Sequence, residues 1–171
     1  MTTAPAWQIR RLEQADAPAY QVARLAALQL HPEAFGSDYA EEAAYSLGDF
    51  ARLLSPPPGA TLGAFVGDAI VGIAGVHVQP KLKQRHKGYI YGVYVDAAYR
   101  RAGLARALIA AIIEQARREK LRLLQLSVTA SNDAARRLYL EFGFRTYGVE
   151  HRALLVNGVY YDEELMEMNL D

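Results

Sequence analysis

Residues 94–109 read YVDAAYRRAGLARALI. A β-rich ending at Tyr94 and Val95 passes through a short polar link into arginines around one glycine, then into an apolar, helix-forming run. The first turn of a helix carries unpaired backbone N–H groups and a partial positive charge, so it attracts anions. A glycine-bearing turn lets a phosphate come close to that backbone. Arg100, Arg101, Ala102, Gly103, Leu104, Ala105 and Arg106 therefore read as an anion-binding turn where a strand hands over to a helix. Gly103 and Ala105 keep the turn free of bulk, and the three arginines add cationic cover. No GxxxxGK[ST] run and no GxGxxG run is present, which argues against a nucleoside-triphosphate loop and against a dinucleotide fold.

Outward from this turn the elements follow in order. The helix opening near Gly103 carries Leu104, Leu108 and Ile112 on one face, with Ile109 and Ile113 beside them, and closes on Arg117, Arg118 and Lys120. Upstream, two β-rich runs flank Gly67-Asp68 as a hairpin, and a third from Gly88 to Val95 completes an antiparallel meander. Gly92 within that third run marks a bulge or a close backbone approach. Trp7 to Leu12 alternates as a first strand, and Asp16 and Pro18 open an Ala- and Leu-rich helix that runs to about Leu30. His31 to Tyr45 reads as loop or irregular helix and carries Glu33, Asp38, Glu41 and Glu42; a short helix follows from Leu47 to Leu54. Downstream come a strand from Leu123 to Val128, a helix capped by Ser131 or Asn132 and stopped by Gly143, and a closing hairpin around Asn157-Gly158. The result is an α/β chain of mixed, α+β-like character: about seven strands in one sheet, with helices on both faces.

The composition fits one domain over residues 1–171. Lys plus Arg equals Asp plus Glu at 19 each, a balance that argues against a dedicated nucleic-acid binder. There is no cysteine, so disulfides, thiolate metal sites and cysteine nucleophiles are excluded, and a reducing, cytoplasmic setting is the expectation. MTTAPAWQIRRL does not read as a secretory leader, and no apolar run approaches the ~20 residues that span a bilayer.

A second segment, SNDAARRLYLEFGF at 131–144, makes the first one specific. Arg100-x-x-Gly103-x-Ala105 after a Val-x-Val strand is followed, one strand and helix later, by Asn132-x-x-Ala135-x-x-Leu138-Tyr139-x-x-x-Gly143-Phe144. This pair, in this order and spacing, resembles the GNAT family, the Gcn5-related N-acetyltransferases that use acetyl-CoA. The resemblance implies the GNAT fold, with a mostly antiparallel mixed sheet splayed near its middle at a bulge by Gly92. It implies that the turn from Arg100 to Arg106 holds the CoA diphosphate through backbone N–H groups. It further implies that Val93, Tyr94 and Val95 run beside the pantetheine arm, that Asn132 lies near that arm, and that Tyr139 protonates the departing CoA thiolate. The implied reaction is direct transfer of acetyl from acetyl-CoA to a primary amine of a small molecule or peptide, with no metal, no nucleic acid and no membrane; a homodimer is compatible with it.

One departure from the family pattern stands out. Several members carry a glutamate on the strand entering the diphosphate turn, where this chain has Tyr89, Tyr91 and Val93. Glu150 is the base candidate carried forward, with His151, Asp162 and a water relay as alternatives. The missing glutamate also keeps open a second reading: a non-catalytic acyl-CoA-binding or sensor module of the same fold. The resemblance implies that His31–Tyr45 lies where the family's variable helices shape the acceptor pocket; its four carboxylates read first as a solvated acidic face, with attraction of a cationic amine as the alternative.

Overall fold

The computed structural model describes residues 6–171; residues 1–5, the start of the segment read for a leader, lie outside the described residues. The strands are β1 (Gln8–Arg11), β2 (Ala60–Val66), β3 (Ala69–Val78), β4 (Lys87–Val95), β5 (Leu123–Thr129), β6 (Arg145–Val156) and β7 (Val159–Asn169). The helices are α1 (Ala17–Leu30), α2 (Tyr39–Ala43), α3 (Leu47–Leu53), α4 (Leu104–Arg118) and α5 (Asp133–Phe142). Short 3₁₀ turns lie at Gln14–Asp16, Pro32–Ala34 and Ala97–Tyr99. None of these helices is long and apolar enough to cross a membrane.

The seven strands form one sheet in the order β1-β2-β3-β4-β5-β7-β6. Every neighbouring pair is antiparallel except β4 and β5, which run parallel and pair only through Lys87–Tyr89 and Leu123–Gln125. Beyond Tyr89 the two strands part. On its other edge β4 slips register against β3 between Ile73 and Gly75, and Gly92 takes φ +63° there. That positive φ favours glycine and marks the bulge expected from the sequence. The sheet thus stays paired along both outer flanks and opens into a wedge in its middle.

Two apolar layers hold this shape. On one face Leu104, Leu108, Ile109 and Ile112 of α4 pack on Val76, Ile90, Leu124 and Met166. On the other, Tyr20, Ala23, Ala27 and Leu28 of α1 pack with Phe50 of α3 against Ile73 and Tyr94. The expected hairpins and helices are present at nearly the expected residues. Asp16 differs: it stands at the start of α1 but makes no cap bond to that helix. Its carboxylate takes two hydrogen bonds from Arg10 at 2.8 Å and one from the Glu13 N–H at 2.8 Å, so a charged partner wins over the helix end. In α5 the fully buried residue is Tyr139, with Ala135, Leu138 and Phe142 only partly covered around it.

Candidate functional site

The wedge between β4 and β5 continues past their ends into a cavity of about 800 Å³ bounded by the first turn of α4, by α5 and by the Pro32–Ala34 turn. That volume lies in the range of small-molecule and cofactor sites. Val93, Tyr94 and Val95 form the β4 wall. Arg100, Arg101, Gly103, Leu104, Ala105 and Arg106 line the end of the cavity at the helix mouth, whereas Ala102 is exposed and does not line it. Asn132 and Tyr139 line the α5 side, and His31, Ala34 and Phe35 close the opposite side.

At the mouth of α4 the backbone departs from ordinary helix entry. Gly103 is the N-cap residue at φ +83°, and no side chain caps the helix. Arg101 also holds a positive φ of 60°, unusual for a residue with a side chain and common where a turn is built for a ligand. A Cβ built on Gly103 would meet nothing within 4 Å, so the turn faces open space. The amides of the first turn are left without capping acceptors and open onto the cavity, the arrangement that suits an anion. α5 contrasts with this: Asn132 Oδ1 accepts from the Ala135 N–H at 3.2 Å, closing that helix end with a side chain.

The three arginines are not equivalent cover. Arg100 donates from Nε to the Val95 carbonyl at 3.2 Å and from Nη2 to His31 Nε2 at 2.6 Å, which ties the turn to the end of α1. A guanidinium can only donate, so His31 Nε2 accepts. Arg106 is paired with Glu141 of α5 and lies over the Phe142 ring, 5.5 Å from its centroid. Arg101 alone of the three makes no side-chain hydrogen bond or ion pair with a described residue.

Tyr139 is buried at 6% exposure and packs edge-on against Phe144, ring centroids 5.7 Å apart. Burial raises its pKa above the ordinary phenol value, and the hydroxyl makes no hydrogen bond to any described residue although the residue lines the cavity. It is a neutral phenol with its donor free.

Glu150 is not among the residues that line the cavity. It is exposed on edge strand β6, in register with Glu163 of β7, which pairs in turn with the cavity residue Thr129 of β5. Two strand spacings, roughly 10 Å, separate it from that wall. The other two base candidates bond each other: His151 Nδ1 and Asp162 Oδ2 lie 3.0 Å apart, and Asp162 also takes the Arg152 N–H at 2.8 Å.

The four carboxylates of His31–Tyr45, read as one acidic face, divide. Asp38 caps α2 through the Ala40 and Glu41 N–H groups, Glu42 is buried against Arg24 of α1, Glu41 is exposed, and Glu33 lines the cavity. Motif spacing does not mark Phe35, Thr129 or Arg24. Arg24 has one detectable signal: it is the charged residue within an otherwise apolar helical stripe of Tyr20, Ala23, Ala27 and Leu28.

The fold and the helix-mouth cavity define an α/β protein of the acyl-CoA N-acyltransferase type. The profile of the acetyltransferase (GNAT) family matches residues 23–144, and the chain belongs to that family. It is 31% identical over 109 residues to N-alpha-acetyltransferase RimI of Mycobacterium tuberculosis, covering 64% of this chain and 66% of that one. Of two further curated relatives it spans 48% and 43% of the length. Among solved structures, a GNAT-family acetyltransferase from Streptococcus pneumoniae superposes with a TM-score of 0.86 at 27% identity, over 96% of this chain and 100% of that one. An acetyltransferase from Salmonella typhimurium, yncA, solved with acetyl-CoA, superposes with a TM-score of 0.78 at 23% identity, over 97% and 95% of the two chains; that likeness concerns the fold.

Proposed function

We propose that this protein transfers acetyl from acetyl-CoA to a primary amine of a small molecule or peptide, by direct attack within a ternary complex. The observation that carries this reading is the uncapped mouth of α4 opening onto the β4–β5 wedge. The amides from Gly103 to Arg106 hold the diphosphate, and Arg101 supplies a cation free to follow it. The stretch of β4 from Ile90 to Val95, which has no partner on β5 and is bulged at Gly92, leaves peptide groups facing the wedge beside which a pantetheine arm can lie. Asn132 Oδ1 is taken by its own helix, so its amide N–H groups are the ones available to that arm. An oriented N–H of β4 at the thioester carbonyl stabilises the charge that develops there when an amine attacks. Tyr139 then gives its proton to the departing thiolate. Glu33 at the cavity, with Glu163 and Glu150 beyond Thr129, gives that side a negative field that draws a cationic amine.

Calorimetric titration with acetyl-CoA tests the cofactor half of this reading, and release of CoA thiol over an amine panel tests the transfer. Gly103→Glu is expected to weaken acetyl-CoA binding at least tenfold. A residue with a side chain is disfavoured at φ +83° by about 1–2 kcal/mol, and the new carboxylate would enter the space the diphosphate needs. Arg101→Ala, which leaves the amides in place, is expected to weaken it less than threefold. Comparable losses in the two variants would overturn the assignment to backbone amides.

A further inference from the structure

An amine that is charged in water must lose a proton before it attacks, and none of the cavity groups described so far is assigned to take it. An arm that enters at the α4 mouth, where the wedge is wide, points toward the vertex at Tyr89 and Gln125, the last paired residues, which lie beyond the cavity's β4 wall of Val93 to Val95. Tyr139 approaches from the α4–α5 face. On the opposite, α1 face the vertex is bridged by Tyr89, whose hydroxyl donates to Ser127 Oγ at 2.8 Å. The Tyr91 hydroxyl is also occupied, 2.7 Å from Ser55 Oγ and 2.9 Å from Thr61 Oγ1, with its ring lying over Gly75.

Beside these two phenols stands His77 of β3, in register with Tyr89 and on the same face as Ile73 and Gly75. Its ring centroid lies 5.4 Å from that of Tyr89 and 5.6 Å from that of Tyr91. Neither ring nitrogen bonds to a described residue, so a lone pair is free, and the residue is exposed enough to pass a proton to water. The partial cover its ring does receive lowers its pKa, with no charged group contributing; the titratable groups that face it are the phenols of Tyr89 and Tyr91. It is therefore neutral at pH 7.

We infer that His77 is the general base, accepting a proton from the acceptor's ammonium group on the α1 face of the sheet. This rests on the transferase reading above. The ammonium gives one proton to His77 and becomes the attacking amine. As the C–N bond forms and the C–S bond breaks, Tyr139 protonates the thiolate and is reprotonated by the proton shed from the new amide nitrogen. His77 returns its proton to solvent, so the net release is one proton per turnover. Acid and base then stand on opposite faces of the sheet, with the thioester threaded between them.

The test is the pH profile of kcat/KM for the wild type and His77→Gln, with acetyl-CoA and spermidine, free L-amino acids or a tetrapeptide with a free α-amino group as acceptors. The wild type is expected to lose activity on the acid side through an ionisation below 6.5. His77→Gln should lose at least tenfold at pH 7, lack that ionisation, and gain rate with rising pH as the amine deprotonates unaided, with acetyl-CoA affinity unchanged. Added imidazole should restore part of the rate to His77→Ala. A wild-type profile in His77→Gln would overturn the base assignment alone. Acetyl-CoA binding without thiol release from any of these acceptors would overturn the transferase reading and the assignment that rests on it.

Discussion

Tyr139→Phe is expected to lower kcat about a thousandfold while leaving acetyl-CoA affinity within about threefold, the range for loss of a positioned proton donor. The substitution removes one oxygen. The edge-on packing against Phe144 is kept, and no described residue loses a hydrogen-bond partner, so the fold should tolerate it. The chemistry should not. Thiols hold their proton with a pKa near 8.5 in water, and the partial burial of a thiolate beside Tyr139 would disfavour its bare charge further. A donor that remains protonated there removes that obstacle. Because burial raises the Tyr139 pKa, the phenol is fully protonated at pH 7, and activity that uses it as the proton donor is expected to be lost only as pH rises past the ordinary phenol value near 10. Steady-state kinetics beside calorimetry give the answer. A variant with wild-type kcat would remove Tyr139 from the reaction, and one that fails to bind acetyl-CoA would make it a binding residue instead. A wild type that binds acetyl-CoA and releases no thiol would match the sensor reading.

The parts of this molecule that the sequence announces are those fixed by local stereochemistry. Gly103 is legible because a left-handed residue before a helix selects glycine, and Asn157-Gly158 because their φ values of 49° and 78° are what a tight hairpin turn demands. The stripe of α4 is legible because its period matches one buried face. What stays hidden depends on partners distant in sequence. Nothing in β6 or β7 states that β7 inserts beside β5 and leaves β6 at the edge, and that order is what carries Glu150 away from the cavity. The same holds for His77, whose significance comes only from the tyrosines of the next strand, and for Glu42, whose partner lies on another helix. The carboxylates of 31–45 read as one acidic face, yet local capping takes Asp38 and long-range pairing takes Glu42.

That last pair supports the second large prediction: Glu42→Leu is expected to destabilise the protein by about 3–5 kcal/mol, the cost of leaving a buried charge without its partner. Arg24 and Glu42 are 7% and 3% exposed, and the carboxylate takes two hydrogen bonds from the guanidinium, Nε to Oε2 at 2.9 Å and Nη2 to Oε1 at 2.8 Å. Burial opposes the charge on Arg24, and the bonds from Glu42 and neighbouring groups more than offset it, so Arg24 is held charged. Arg24→Met/Glu42→Leu, which removes both charges at similar volume, should recover most of the loss, because the cost lies in desolvation of the ion left behind. In thermal unfolding the single variant should fall by about 10 °C, at about 2–4 °C per kcal/mol for a chain of this size, with the double variant near wild type. The two variants also separate stability from function. Arg24 Nη1 would lie 3.4 Å from a Cβ at Gly92, so the pair fastens α2 beside the bulge, on the α1 face of the sheet from which the proposed transfer takes its amine. A well-folded double variant without that fastening should keep its acetyl-CoA affinity and show a raised KM for the acceptor. Equal melting temperatures for the single variant and the wild type would show that the pair contributes nothing to the fold, and an unchanged acceptor KM in the double variant would detach α2 from the acceptor site.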